Sequence, residues 1–597
     1  MIRVRREDGA ITIATGSYVL AIDPEQPIAR LSAATDVEPL QLMLLASLDS
    51  DQGLDATVRS GPPRVVAGDM EATVTLDAVS TVWDSKQILL RCTETEVTFE
   101  GTVTGRGRLH NVRLLGGSYT GNPRWGGGPF HSRWPAQTIF VPSPDDPRRL
   151  VQPAAEPATI GVVGTDMPGL GHWFFTPGPF LLAGSRAAVT DPDDSSAVPW
   201  DVLELRPDIA AATFTEMRYE PFLGGFSVVL SYEAQTAVDG SFVTPPLAIR
   251  LDGANPYEAI REHSDRLRAD GLAPRVQRAQ ADWWRRPIFC GWGEQFRQAK
   301  LMGGHPTTYS RRDNYDAWLA ILDRHGIVPG TVTIDDKWQI TYGRNQVDEQ
   351  RWPDLRGWIA ERHAGGQRVL LWFKAWDAEG LPVDACITDP LGQPVAADPD
   401  SPIYQEILRE SLAHMLGGSG LDADGLKVDF TARTPSGPAL QHAAAGWGVS
   451  LLHRLLRLVH TSAKAAMPDA LVVTHTPSPL FADVSDMLRL NDLLRLADPQ
   501  PWAPAVAQMR HRARIAATID PGLLIDTDDW CMPSKREWRE YLEVKPTLGV
   551  PALYYATGID HSNEAFDEDD YAAIRAAWTR WEAGTSKRDA SAPGNRS

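Results

Sequence analysis

Residues 425–430 read GLKVDF, a short apolar run that ends in a carboxylate. It stands between two helical patterns, SPIYQEILRESLAHML (401–416) and GWGVSLLHRLLRLVHTSAKA (446–465). A strand that is apolar throughout and bracketed by helices is the repeating unit of a parallel sheet. Outward from it, runs of the same kind recur: IFCGW (288–292), TVTID (331–335), RVLLWF (368–373), LVVTH (471–475), MLRLN (487–491), GLLID (522–526) and ALYYA (552–556). Amphipathic stretches such as YDAWLAILDRHG (315–326), DLRGWIAERHAGG (354–366) and KREWREYLEVKPTLG (535–549) separate most of them. The link between the fifth and sixth runs is too short to promise a helix. Eight β/α units over 287–585 predict a (β/α)₈ TIM barrel. An open doubly wound sheet would carry a glycine-rich phosphate turn after its first strand, and FCGWGEQ (289–295) is not G-x-G-x-x-G.

Residues 1–255 have a different rhythm. Alternating runs such as AITIATGSYVLAID (10–23) and ILLRCTETEVTFEGTV (88–103) are separated by Gly, Pro and Asp, which predicts a β-sandwich. Residues 256–286 carry two helical patterns and read as a helical connector, and 586–597 are small and polar, the composition of a disordered tail.

The chain has 597 residues and a formal net charge of −19, which argues against nucleic acid and against an anionic membrane surface. Its four cysteines are dispersed, so neither a disulfide framework nor a zinc knuckle is expected. The first residues lack an apolar core of the signal-peptide kind, and no run is long enough to span a bilayer; a cytoplasmic location follows as the expectation. No H-E-x-x-H, EF-hand or Walker pattern is present, so no cofactor and no metal are expected. A homo-oligomer is compatible with the sequence.

Active sites of these barrels lie at the C-terminal ends of the strands. Trp292 ends the first run. Asp335 and Asp336 end the second, with Trp338 just beyond. Trp372, Lys374 and Trp376 end the third, Lys427 and Asp429 the fourth, His475 the fifth, Arg489 and Asp492 the sixth, and Asp526 and Asp528 the seventh. Tyr554 and Tyr555 end the eighth. Carboxylates interleaved with aromatics suit a carbohydrate: one carboxylate attacks the anomeric carbon, another protonates the leaving oxygen, and indole faces stack on the sugar.

From about Phe289 to Asp560 the sequence resembles the catalytic barrel of clan D glycoside hydrolases, families 27, 31 and 36, and most of all family 36. TIDDKWQ (333–339) resembles the DDGW segment whose aspartates bind sugar hydroxyls. GLKVDF resembles the strand that carries the nucleophile, which maps to Asp429 with Lys427 as a sugar-binding neighbour. RLND (489–492) resembles the strand that carries the acid/base, which maps to Asp492 with Arg489 beside it. The resemblance implies a retaining hydrolase of terminal α-linked sugars, α-galactosides first. An α-glucosidase or a transglycosidase on the same barrel is the alternative, and a non-catalytic carbohydrate-binding protein is the rival from another class. Lys337 stands where the motif has glycine, and FTARTPSG (430–437) and KAWDAEG (374–380) depart from the family 36 forms.

Asp483 and Asp486 precede the sixth run, so they belong at the opposite, stabilising end. An alternative parse would make Asp486 the acid/base. Asp526 and Asp528 either bind substrate or hold Arg489. His453 and His460 lie on an amphipathic helix and read as structural. Loops around Trp125 and Trp134 are candidates to close over the pocket.

Overall fold

The computed structural model describes residues 2–591, except 8–9, 34–37, 122–126, 143–149, 154–156, 161–175, 191–197, 494–502 and 521. Trp125 lies outside the described residues.

The N-terminal region is a β-sandwich. A five-stranded antiparallel meander runs from Arg3–Glu7 to Leu40–Met43. It packs with a larger sheet centred on two long strands, Val97–Leu114 and Gly225–Val243, which pair antiparallel. The first half of Val97–Leu114 alternates buried and half-buried residues, the period of a strand with one face on the core. The turn at 93–96, between Ser85–Cys92 and that strand, is closed by Thr93 N–H on the Glu96 carbonyl at 3.0 Å.

Helix α1 (Pro256–Ala269) follows. Asn255 caps it by accepting from Glu258 N–H at 2.9 Å, and Pro256 stands at its first turn, where no donor is lost. Its buried face joins both halves of the molecule: His263 Nδ1 lies 3.1 Å from Glu204 of the sandwich, and Tyr257 OH lies 3.0 Å from Nδ1 of His511 on the barrel. The second expected connector helix is absent. After Pro274 the chain is extended and makes only a 3₁₀ turn, Asp282–Arg285, that buries the adjacent Trp283 and Trp284. Arg278 explains the extension, because its guanidinium reaches across to Asp520 and to the carbonyls of Ser485 and Ala482.

The barrel strands are β1 (Ile288–Cys290), β2 (Thr331–Ile334), β3 (Arg368–Lys374), β4 (Gly425–Asp429), β5 (Leu471–Thr474), β6 (Met487–Arg489), β7 (Leu524–Asp526) and β8 (Ala552–Leu553). All neighbours pair parallel, β1 pairs with β8, and a bridge from Asp526 to Val550 closes the ring. Every expected run holds a strand, usually shorter than the run itself. Trp292 does not end β1; it opens helix α2 (Trp292–Met302). Two helices, α2 and α3 (Arg312–Arg324), fill the first crossover, followed by α4 (Leu355–Ala364), α5 (Pro402–Leu416) and α6 (Gly448–Ala466). Between β5 and β6 stands only a 3₁₀ turn, Pro479–Val484. Helices α7 (Ala505–Ile519), α8 (Lys535–Leu548) and α9 (Glu568–Ser591) complete the ring. Helix α9 runs into the segment read from sequence as a disordered tail; residues 592–597 lie outside the described residues.

The sandwich docks on the start of α6. Val449 N–H donates to the Phe214 carbonyl and Ser450 N–H to the Ala212 carbonyl, at 3.0 and 2.8 Å. Gly448 has φ +56°, and a Cβ there would lie 2.1 Å from the Phe214 oxygen, so the close approach needs glycine. Trp134 is buried within the sandwich, its Nε1–H donating to Asp201 Oδ2 at 3.2 Å, so it does not close over the barrel. No helix among the described residues is long and apolar enough to cross a membrane.

Candidate active site

Lys427 and Asp429 are two residues apart on β4 and share its inward face. Lys427 Nζ donates to Asp335 Oδ2 at 2.6 Å, deep in the barrel. Cys290 Sγ donates to the same oxygen at 3.0 Å, and Asp335 N–H donates to Tyr315 OH at 2.8 Å. Asp335 is therefore fixed in place beneath the mouth. Asp336 turns outward into the loop and accepts from Tyr342 OH at 2.8 Å. Burial, with Asp335 and Asp429 nearby, pushes Asp336 up to about 7.

Asp429 is gripped from three sides. Trp372 Nε1–H donates to its Oδ2 at 3.1 Å; Phe430 N–H (2.9 Å) and Arg489 Nη2 (3.2 Å) donate to its Oδ1. Burial alone would raise this carboxyl, but the Arg489 guanidinium, with Lys427 and the Phe430 N–H, holds it well below the usual carboxylate range. Asp492 is the opposite case. Burial, reinforced by Asp528 and Asp429, outweighs Arg489 and pushes it up to about 7. Burial and Asp528 likewise push Asp526 up to about 6.

Arg489 is the hub. Besides Asp429, its Nη1 donates to Asp492 Oδ1 at 2.9 Å and to Asp528 Oδ2 at 2.7 Å. Asp528 thus holds Arg489, and Asp526 accepts from Asp528 N–H at 2.9 Å. His475 is fully buried, with Nε2 4.0 Å from Asp429 Oδ1, and burial lowers it to about 4, so its ring is neutral.

Two sequence expectations need correction. Trp338 does not line the mouth: it is fully buried and donates Nε1–H to the Trp372 carbonyl at 2.8 Å. Lys337, in the glycine position of the motif, has φ +81° and turns the chain so that Trp338 faces inward. Trp372 is also buried and orients the carboxylate of Asp429 through its N–H, so its face is not a sugar platform. Trp292 keeps a half-exposed position, edge-on to Phe296 and Trp530 at centroid distances of 5.8 and 5.7 Å. Lys374 Nζ lies 2.7 Å from Asp377 and 4.0 Å from the centroid of the Tyr342 ring. With Trp376, Asp377, Glu379 and Arg433 it lines a cavity of about 320 Å³ beside Asp429, its neighbour across the sheet. A larger cavity, about 390 Å³, lies between α3 and α4 and contains none of these carboxylates.

Asp486 sits at the other end of β6. It accepts from Val472 N–H at 3.0 Å and lies 2.7 Å from Lys464 Nζ, and His460 stands 3.5 Å away. Asp483 pairs with His453 at 3.0 Å. Neither reaches Asp429, so the geometry gives no support to Asp486 as acid/base.

Sequence reading passed over Cys290, Tyr315, Tyr342 and Asn491. Tyr342 lies four residues beyond Trp338 and was within reach of the motif. Tyr315 comes from a helix, and nothing local marks it. Asn491 is fully buried with φ +67° between Arg489 and Asp492. Its side chain meets His475, and the Tyr554 hydroxyl at the end of β8 has no hydrogen-bond partner among the described residues.

No family model matches the sequence, and no curated protein matches it. Solved structures do. The α-N-acetylgalactosaminidase NagBb from Bifidobacterium bifidum superposes with a TM-score of 0.62 at 9% identity, over 96% of this chain and 93% of that one. A family GH31 sulfoquinovosidase from E. rectale gives 0.58 at 11% identity, over 98% and 83%. A cycloalternan-forming enzyme from Listeria monocytogenes gives 0.53 at 10% identity, over 97% of this chain and 59% of its own length. The sandwich followed by a barrel is thus a fold shared with these carbohydrate-active enzymes, across almost the whole of this chain.

Proposed function

We propose that this protein is a retaining glycoside hydrolase acting on a terminal α-linked sugar, with Asp429 as nucleophile and Asp492 as acid/base. The observation that carries the reading is the pair itself. Two carboxylates share one guanidinium, yet Arg489 holds Asp429 well below the usual carboxylate range while burial pushes Asp492 up to about 7. Double displacement needs that division of labour. Asp429 attacks the anomeric carbon as the leaving oxygen takes the proton of Asp492. Asp492, now ionised, removes a proton from water, which attacks the glycosyl–Asp429 ester and releases the sugar.

Asp335, Asp336, Lys427 and Arg489 are assigned to hydroxyl binding, with His475, Lys374 and the half-exposed face of Trp292 around them. The sugar is proposed as galactose-like on the sequence motifs. Two of the similar folds described above are named for different sugars, so a panel of sugars must decide it. Release of p-nitrophenol from α- and β-linked galactosides, glucosides, N-acetylgalactosaminides and sulfoquinovosides should be compared for wild type and Asp429→Ala. Turnover of one α-glycoside, lost in Asp429→Ala, is the expected result. A folded wild type that turns over none, yet binds free sugars, would move the protein to the carbohydrate-binding class.

A further inference from the structure

Tyr554 stands at the end of β8, and its backbone is clamped from two sides. Its N–H donates to Asp529 Oδ1 at 2.8 Å. A Cβ on Gly293 of α2 would collide with its carbonyl oxygen, so helix and strand touch there. The side chain points into the ring of strands. The centre of its aromatic ring lies 4.9 Å from Nζ of Lys427, which itself reaches down to Asp335. In an eight-stranded ring β8 stands opposite β4, so Tyr554 faces Asp429 across the site. A sugar held for attack by Asp429 would lie between them.

The hydroxyl sets this residue apart. Tyr315, Tyr541 and Tyr555 are as deeply buried in the barrel, and each donates: to Gln295 Oε1 at 3.0 Å, to the Thr527 carbonyl, and to Asp560 Oδ1 at 2.8 Å. Tyr554 is 1% exposed, yet its hydroxyl has no hydrogen-bond partner among the described residues. A buried hydroxyl left without a partner is costly, and a fold retains one where something else meets it. Burial, with Asp528, Cys290 and Asp526 near it, raises this hydroxyl well above the usual tyrosine range, so it keeps its proton as a donor. Asp528 is committed elsewhere, its Oδ2 to Arg489 at 2.7 Å and its Oδ1 to Trp530 N–H at 2.9 Å, and Asp526 Oδ1 takes Asp528 N–H. A group that accepts from Tyr554 and donates to a carboxylate would complete both, and a sugar hydroxyl is such a group.

We propose that Tyr554 is a specificity-determining residue, whose O–H donates to one ring hydroxyl of the terminal sugar and so selects sugars that carry a hydroxyl at that position. The inference rests on the glycosidase reading and adds a contact to it. The sequence places Tyr554 at the end of the eighth run, but a run of apolar residues does not report whether a hydroxyl finds a partner.

The test compares full-length wild type and Tyr554→Phe on the responsive p-nitrophenyl α-glycoside and on its monodeoxy analogues, one for each hydroxyl of the sugar. Tyr554→Phe should lower kcat/KM on the parent glycoside by roughly 10- to 100-fold. On one monodeoxy analogue the two proteins should be equally slow, because the hydroxyl that Tyr554 meets is gone. On the others the loss should persist. The melting temperature should not fall, since phenylalanine leaves no protein partner stranded. Equal kcat/KM on the parent, or the same loss on every analogue, overturns the assignment. So does a melting temperature well below that of wild type, which would make the hydroxyl a structural group bridged by buried water. If wild type turns over no glycoside, the glycosidase reading has failed, and calorimetric binding of the free sugars decides the contact by itself. Weaker binding by Tyr554→Phe of all but one deoxy sugar supports it; equal binding, or none by wild type, overturns it.

Discussion

Asp486 and Asp492 lie at opposite ends of β6, and their side chains are 6% and 13% exposed. Their surroundings differ. Asp486 has donors of its own: a backbone N–H of the neighbouring strand, Lys464 and His460, which together outweigh burial and lower its pKa. Asp424, before β4, repeats the device with Val369 N–H at 2.8 Å, His363 Nε2 at 2.7 Å and Arg368 Nη1 at 2.7 Å. At the other end one guanidinium serves Asp429, Asp492 and Asp528 together. A carboxylate with its own donors locks two strands in register. Carboxylates that must share a donor retain unused acceptor capacity, and a polyhydroxylated ligand can supply the missing donors. The number of donors separates Asp486 and Asp424, with three each, from Asp492, whose side chain accepts from Arg489 alone among the described residues; Asp429, with Trp372 and Phe430 N–H besides Arg489, stands between the two roles.

Four measurements would break or sharpen that contrast. The largest effect is expected for Asp429→Ala, which should lower kcat/KM on the responsive α-glycoside by on the order of 10⁴-fold or more. Its melting temperature should also fall at neutral pH, because a carboxyl held below the usual range contributes stability above its unfolded pKa, and that loss should shrink as the pH falls through the carboxylate range.

The second pairs the two ends. Asp486→Asn breaks a buried ion pair and should cost the barrel about 3 kcal/mol, seen as a lower melting temperature, with kcat/KM nearly unchanged. Asp492→Asn should do the reverse. Its folded pKa of about 7 lies above the ordinary carboxylate value, so its contribution to stability is present at low pH and lost as pH rises through about 7. Asp492→Asn should therefore melt no lower than wild type at pH 8, while turnover collapses. A drop in melting temperature for Asp492→Asn as large as that for Asp486→Asn would remove the distinction.

Third, kcat/KM should fall as pH rises through about 7, where Asp492 loses its proton, and should stay high on the acid side until Asp429 protonates, below the usual carboxylate range. An alkaline limb that persists unchanged in Asp492→Asn, on an activated aryl glycoside, would assign it to another group.

The smallest effects separate two tryptophans. Trp372→Phe removes the N–H that orients Asp429 and should cost about 1–2 kcal/mol in kcat/KM. Trp338→Phe removes only a bond to the Trp372 carbonyl and should leave KM unchanged.

The barrel was legible because strands buried on both faces appear as uninterrupted apolar runs, and parallel strands need the helices that separate them. GLKVDF and RLND announced themselves by a charged residue where a strand should end. The second connector helix was misread because VQRAQADWWRR has helical spacing, while its polar residues bond to the barrel. Trp338 was misplaced because only the left-handed turn at Lys337 shows which way the indole faces. The role of Arg489 was hidden for another reason. Its partners Asp429 and Asp528 are 60 and 39 residues away, and no local pattern reports a contact of that range.

The closing seam of the barrel has a consequence for how the chain is made. Ile288 of β1 pairs with Ala552 of β8, and Asp526 pairs with Val550. During synthesis the sandwich, α1 and seven strands leave the ribosome while the eighth gap stays open. Until Ala552 emerges, β1 has an unpaired edge, and contacts so distant in sequence form slowly. This interval, rather than the finished molecule, is when the protein is most exposed to aggregation. A chaperone that shields the edge of β1 should therefore raise its yield more than one that acts on the completed chain.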